Sequence, residues 1–201
     1  MENLLLFEKW DSSGVVVADM GLQRYLKISP SIIPNTFGKK ANKRFGKEES
    51  HVVERLANKI MVSGHLKDSR VHKRISGRDT GKKQTTYRLI KKAFEIIEKK
   101  TKQNPIDVLV KGITNAAPRE ETTRIRQGGI IVHRAVDVAP ARRLDVALSL
   151  ISHGAAQRAF NKKQSFSAAL ADELTSAMKY DVKTYSISKR EELERVAQSA
   201  R

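Results

Sequence analysis

Residues 118–143 constrain the fold most, because they predict two β-strands in a chain whose remaining periodic segments are helical. Two runs that alternate strand-forming and polar residues flank Gly128-Gly129. Both central positions of a type I′ turn need positive φ, which glycine adopts without steric cost, so this pair predicts a tight two-residue turn. The turn also sets the register, and the expected cross-strand pairs are Gln127–Ile130, Arg126–Ile131 and Ile125–Val132.

Arginine side chains make the predicted hairpin basic. Arg124 and Arg126 share one face of the first strand, and Arg134 lies on the second. Ile125 and Val132 are expected to pair on the inner side. A basic ribbon on a helical body is a poor catalytic pocket, but it can reach along a nucleic-acid groove.

The rest of the chain predicts a helical body. From residue 51 onward, apolar residues recur at helical spacing in about six segments, and those of the first are Val53, Leu56, Ala57, Ile60 and Met61. Ser50, Asn104-Pro105 and a capping box at 188–191 predict helix starts, and Gly64 predicts the end of the first helix. Residues 65–83 predict a polar, basic loop.

Residues 1–50 lack helical periodicity; Val15–Val17 predict at most a short strand, and prolines and glycines interrupt the rest. The predicted fold class is therefore mainly α: a partly extended N-terminal segment, then about six helices with a protruding β-hairpin at about 119–138. We divide the chain into an N-terminal extension, 1–50, which ends in a basic segment, and a helical domain, 51–201, which carries the hairpin.

Positive charge is concentrated on particular segments. The formal net charge is +17, and residues 51–92 alone carry twelve Lys and Arg against three Asp and Glu. A run without an internal acid contains Lys39, Lys40, Lys43, Arg44 and Lys47, and Lys82-Lys83 end the predicted basic loop. Neutralising phosphates releases counterions, so such clusters favour a nucleic-acid footprint; an anionic membrane surface is the other candidate polyanion.

Arg142-Arg143 stand at a predicted helix start, where positive charge is unfavourable. A phosphate held by both side chains and by the free helix amides would remove this conflict. Salt bridges to Asp137 or Asp145 are the alternative.

Several function classes are excluded or disfavoured. There are no cysteines, which excludes disulfides and thiolate chemistry and fits a reducing cytosol. The five histidines lack metal-ligand spacing, and residues 77–83 match a nucleotide-binding loop poorly. The apolar run 4–7 is too short for a signal peptide or a membrane span. We expect a soluble, intracellular protein that is not an enzyme, with no metal, cofactor, small-molecule substrate or membrane partner.

Four ordered motifs resemble the small-subunit ribosomal protein 7 family. They are NPIDVLVKGITNAAPRE (104–120), RIRQGGIIVHRAVDVAPARR (124–143), LADELTSAM (170–178) and KREELERVAQSAR (189–201). The segments LFEKW (6–10) and VVERLANKIM (52–61) resemble the archaeal and eukaryotic branch in particular.

The resemblance implies a helical domain with a protruding hairpin that binds the 3′ major domain of small-subunit rRNA and helps nucleate assembly of the subunit head. It implies a cytoplasmic location in the small subunit, a hairpin near the exit-site tRNA and the mRNA path, and contact with other small-subunit proteins, including a platform neighbour. The implied arm residues are Arg124, Arg126, Gln127, Gly128, Gly129 and Arg134. The implied rRNA-binding residues are Arg119, Arg142 and Arg143, with Lys39, Lys40, Lys43, Arg44, Lys47, Lys82 and Lys83 in more loosely aligned basic regions.

Two other function classes stay open. An architectural DNA-binding protein also combines helices with a basic β-arm, although such arms often carry a proline or a large apolar residue at the tip. An RNA-modifying enzyme is the third class, and no catalytic pattern supports it. RNA recognition is expected to rest on shape and backbone, because aromatic residues are only 5% of the chain, too few for a stacking platform.

Overall fold

The computed structural model describes residues 4–40, 42–63 and 80–201, except for the side chain of Gln127. The predicted loop at 65–83 lies outside these ranges apart from its last four residues, as does the predicted helix terminator Gly64. The described ranges contain seven α-helices and a two-stranded antiparallel sheet, which confirms the mainly α fold class with its β-hairpin.

The elements follow one another along the chain as three stretches. The first contains α1 (Met20–Gln23), a 3-10 turn (Gly46–Glu49), α2 (Val52–Ile60), α3 (Lys83–Thr101) and α4 (Pro105–Ala116). The hairpin follows, with β1 (Glu120–Gln127) and β2 (Ile130–Asp137). The last stretch contains α5 (Pro140–Ala159), α6 (Phe166–Met178) and α7 (Tyr185–Ser199).

Helix α6 lies at the centre of the helical body. It packs against α3, α4 and α5, while α2 and α7 pack against α5. The apolar spacing of α5 explains its buried side, because Leu144, Leu148 and Ile151 fall on one face and are fully buried. Within the described ranges, no helix combines the length and the apolar character needed to cross a membrane.

The N-terminal segment packs into the same core. Leu6, Phe7 and Trp10 are buried, and the Phe7 and Trp10 rings meet the Phe94 ring of α3 edge-on, with centroids 6.4 and 5.6 Å away. The Trp10 indole also donates a hydrogen bond to Glu98 at 3.1 Å. The division of the chain at residue 50 stays a prediction, and any test of it must account for this shared core.

Three local predictions are wrong in detail. The strand expected at Val15–Val17 does not form: Val15 and Val17 pack, partly buried, against the helical core, and the only sheet among the described residues is the hairpin. Helix α2 is capped by His51, whose Nδ1 accepts from the Val53 amide at 3.1 Å, and not by Ser50. Helix α7 begins at Tyr185, three residues before the predicted capping box.

Candidate nucleic-acid interface

The hairpin has the predicted turn and register. Gly128 and Gly129 have φ of 58° and 86°, so both central positions lie in the left-handed region that a type I′ turn requires. The strand pairs Gln127–Ile130, Arg126–Ile131 and Ile125–Val132 are all present. The side chains of Arg124, Arg126 and Arg134 are exposed.

Among the described residues, the hairpin contacts the helical body only at its base. The Ala135 amide donates to the Ala200 carbonyl at 3.3 Å, and Arg201 forms an ion pair with Glu120. Beyond this contact nothing in the described chain covers the ribbon, and Ile125 and Val132 are 39% and 37% exposed. Their cross-strand pairing is confirmed, but the expectation that they face inward is wrong.

Apolar side chains next to the turn are even more exposed. Ile130 and Ile131 are 69% and 55% exposed. The distal hairpin therefore presents isoleucines as well as arginines to whatever it contacts.

The arginines at the start of α5 are engaged in ion pairs within the chain. Arg142 donates two hydrogen bonds to the Glu121 carboxylate, at 2.6 and 2.9 Å, and this contact raises the pKa of the guanidinium. Arg143 donates to Asp19 at 2.7 Å and to the Pro118 carbonyl at 3.2 Å. Ion pairing, the alternative to phosphate binding for these arginines, therefore occurs, but with Glu121 and Asp19 and not with Asp137 or Asp145.

A second network ties the basic run 39–47 to α2 and α5 through Asp145. Lys47 forms an ion pair with this carboxylate, and Arg55 of α2 donates to it at 3.1 Å. The Arg55 side chain is only 3% exposed. Burial acts to raise the pKa of Asp145, but hydrogen bonds from Lys47 and Arg55 outweigh it and hold that pKa below its usual range.

A third network joins the start of α3, and residue 36 just before the basic run, to the Glu54 carboxylate. This α2 carboxylate is 2% exposed and accepts from Lys83 at 2.6 Å and from the Thr36 amide at 3.0 Å. Burial would raise the pKa of Glu54, and these donors lower it overall. Lys82 lies beside this contact with an exposed side chain.

Together these networks divide the predicted cations into two groups. In the described ranges, Lys40, Lys47, Lys83, Arg142 and Arg143 form ion pairs with acids of this chain. Eight others form none there: Lys39, Lys43, Arg44, Lys82, Arg119, Arg124, Arg126 and Arg134. The cations of the second group can neutralise phosphate without breaking an ion pair of the described chain, whereas those of the first group also join segments of this chain to one another.

Sequence reasoning missed one basic concavity, of about 360 Å³. It is lined by Arg24, Lys27, Lys43, Phe45, Gly46, Glu48 and Glu49. Its cations come from segments about twenty residues apart, so no local pattern indicated it. In the described ranges, no group of three or more His, Asp and Glu side chains is placed to hold a metal ion.

A basic, mainly helical body with an exposed arginine-bearing ribbon defines a class of protein suited to contact with a polyanion. The sequence profile of ribosomal protein S7p/S5e matches residues 22–201. The chain belongs to this family of ribosomal proteins.

Archaeal relatives match along the whole chain. The small ribosomal subunit protein uS7 of Archaeoglobus fulgidus is 46% identical over 200 residues, which cover 100% of this chain and 96% of that protein. The protein of the same name from Methanothrix thermoacetophila is 45% identical over 196 residues, which cover 98% of this chain and 99% of that protein.

Proposed function

We propose that this protein is a structural constituent of the small ribosomal subunit that binds the 3′ major domain of small-subunit rRNA. The observation that carries the proposal is the end-to-end similarity to archaeal proteins named as small-subunit constituents. The surface agrees with it, since exposed cations lie both on the body and on the projecting ribbon.

Binding on this proposal is electrostatic and geometric. The eight cations that form no ion pair within the described ranges contact phosphates, and each neutralised phosphate adds about 0.7–0.9 to the salt slope of affinity. The deep, narrow major groove of A-form RNA hides base edges, so most of the footprint recognises backbone and shape. Ion pairs such as Arg143–Asp19 hold the segments that present these cations.

The hairpin extends, on this proposal, toward the exit-site tRNA and the mRNA path. In the part of the chain that the structure describes, the hairpin contacts the helical body at its base alone, so its distal half is open to a partner. The helical body assists assembly of the subunit head, and other small-subunit proteins, including a platform neighbour, share its surface. The role is structural and cytoplasmic, and it needs no catalytic residue, cofactor or membrane.

Competition binding tests the proposal. The full chain is titrated with a 3′ major-domain rRNA fragment, with an unrelated structured RNA of equal length and with duplex DNA, all at the same elevated salt. A clear preference for the ribosomal fragment is expected. Equal affinity for all three would overturn the proposal, because general attraction to polyanions would then account for binding.

The alternative of an architectural DNA-binding arm gains one observation. Ile130 and Ile131 are exposed beside the turn, where wedge residues of DNA-bending arms lie. On this alternative, duplex DNA is bent on binding and binds at least as tightly as the ribosomal fragment. A DNA-bending measurement in the same titration separates the two functions.

A further inference from the structure

The basic concavity contains an exposed aromatic ring that phosphate binding alone does not explain. We propose that this concavity, formed by residues 24–27 and 43–49, accepts one unpaired RNA nucleotide, whose base stacks on Phe45 and whose phosphate contacts Arg24, Lys27 and Lys43. The inference rests on the proposed RNA-binding function and specifies the kind of RNA that this site takes.

The ring is accessible and its charged neighbour orients it. Phe45 is 64% exposed, and the Arg44 guanidinium lies 5.4 Å from the ring centroid. This cation–π contact restricts the ring without burying it. Aromatic faces and arginine planes are the surfaces on which proteins stack unpaired bases.

The walls suit a nucleotide. The concavity of about 360 Å³ lies within the range of about 300–1,000 Å³ that is typical of small-ligand clefts. Its lining contains three cations that can hold a phosphate and two carboxylates. Glu49 is paired with Lys40, whereas the Glu48 carboxylate adds an acceptor for base amino groups. The face of the base therefore meets the Phe45 ring, the phosphate meets the cations, and the edge of the base meets the Glu48 carboxylate.

The loop that carries Phe45 is held in a series of tight turns. The amides of Lys43, Gly46 and Glu48 donate to carbonyls three residues earlier, at 3.3, 3.1 and 3.1 Å. A β-carbon at Gly46 would stand 2.1 Å from the Lys40 carbonyl oxygen, so the turn closes only around glycine. A site ordered before binding loses less entropy when the ligand arrives.

One ion pair closes the loop and another ties it to the helical body. Lys40 contacts the Glu49 carboxylate at 3.1 Å and donates to the Glu49 carbonyl at 2.9 Å, which joins the two ends of the loop. Between them, Lys47 forms an ion pair with Asp145 of α5. The ring is thereby fixed relative to the helical body, so a base stacked on it takes a set position relative to the cations.

Stacking requires unpaired RNA. In a duplex each base face is covered by its neighbours, so Phe45 can reach a base only in a loop, a bulge or a single strand. The low aromatic content still argues against a platform for many bases. A single ring beside three cations is enough to bind one base and its phosphate.

Three variants of the full chain test the site. Phe45→Leu removes the ring and keeps an apolar side chain, and Phe45→Trp keeps stacking and adds a fluorescent reporter. Phe37→Leu is the matched control, because Phe37 is 80% exposed two residues before the basic run 39–47 but does not line the concavity. Thermal unfolding checks that all three fold as the wild type does.

Affinity for the 3′ major-domain fragment is measured over a range of salt concentrations. Phe45→Leu is expected to weaken binding about 5- to 150-fold, the loss typical of one stacked base, with an unchanged salt slope because the phosphate contacts remain. Phe37→Leu is expected to bind as the wild type does. Equal affinity of the wild type and Phe45→Leu would overturn the proposal.

Fluorescence provides a readout that a structural role would not change. With Trp10 present in all proteins as the common background, Phe45→Trp is expected to show extra quenching with single-stranded oligouridylate and none with a fully paired RNA duplex. Absence of extra quenching at saturating oligouridylate would overturn the stacking site. The proposed function has a separate test: it would be overturned if the wild type failed to prefer ribosomal RNA. The oligouridylate measurement does not depend on that preference, so the two failures can be told apart.

Discussion

The Glu173 carboxylate of α6 lies directly against Gly154 of α5, and a β-carbon at residue 154 would stand 2.5 Å from Glu173 Oε1. Glu173 is fully buried; it accepts a hydrogen bond from the Ser186 amide of α7 at 3.0 Å and forms an ion pair with Arg158, whose Nε lies 2.9 Å from Glu173 Oε2. Burial raises the pKa of Glu173, although these donors oppose the shift. The missing side chain at residue 154 therefore lets three helices meet around one buried carboxylate.

Gly154→Ala is expected to lower the free energy of unfolding by about 2 kcal/mol. Overpacking costs about 1–3 kcal/mol, and displacing the buried carboxylate adds to this, against about 1 kcal/mol gained in helix propensity. Urea unfolding measures the change. Gly14→Ala is the control, because nothing lies within 4 Å of a β-carbon there, and equal stability of both variants would contradict the packing argument.

His51 is expected to make stability depend on pH. Burial lowers its pKa to about 4, against the nearby Glu54 charge, and its unprotonated Nδ1 caps α2. In the unfolded chain His51 is protonated below about pH 6.5, whereas in the folded chain it stays neutral down to about pH 4. The free energy of unfolding therefore falls as pH falls from about 6.5 to about 4.

The comparison variant is His51→Asn, which keeps a good N-cap but does not titrate. Between pH 7 and pH 5 the wild type is expected to lose about 2 kcal/mol more than this variant, because the slope is about 1.4 kcal/mol per pH unit below pH 6.5. Chemical unfolding at each pH measures it. If the free energy of unfolding of the two proteins depended on pH in the same way, His51 would have the same pKa in the folded and unfolded chains, and the prediction would be wrong.

Asp145→Asn is expected to destabilise the protein by about 2 kcal/mol, because it leaves the buried Arg55 guanidinium without its counter-charge. Water reaches Asp145, whose side chain is 26% exposed, so the loss falls short of the cost for a fully buried pair. Asp107→Asn is the control, since Asp107 forms no ion pair within the described ranges. Thermal and urea unfolding should agree on the order of the two variants.

Charge removal should separate the hairpin from the body. Arg124→Ala with Arg126→Ala is expected to impair tRNA-linked function while subunits still assemble, because these side chains lie on the distal ribbon. Lys39→Gln with Lys43→Gln should instead impair assembly, and these two lysines break no ion pair of the described chain. Both double variants should unfold within about 0.5 kcal/mol of the wild type.

Sedimentation of subunits from cells that carry each double variant checks this division. Subunits lacking an assembled head in the hairpin variant would contradict it, as would normal assembly in the lysine variant. A tRNA-binding assay on the assembled subunits then isolates the contribution of the ribbon.

Helix content, the hairpin and its register were all predictable from the sequence, because each depends on neighbours within a few residues. The Gly128-Gly129 turn sets the strand pairs by itself, and the spacing of Leu144, Leu148 and Ile151 marks the buried face of α5. Helix starts were less accurate, since His51 and Thr184 occupy capping positions that other residues could also have filled.

What only the tertiary structure decided is which distant groups meet. Arg143 pairs with Asp19, which lies 124 positions away in the sequence. The rings of Phe7 and Trp10 pack against Phe94, on a helix that begins about seventy residues later. The exposure of Ile125 and Phe45 likewise depends on what the rest of the chain leaves uncovered. Local backbone preferences act within a turn or a helix, whereas ion pairs, burial and concavities form between segments that only the packed core brings within a few ångströms.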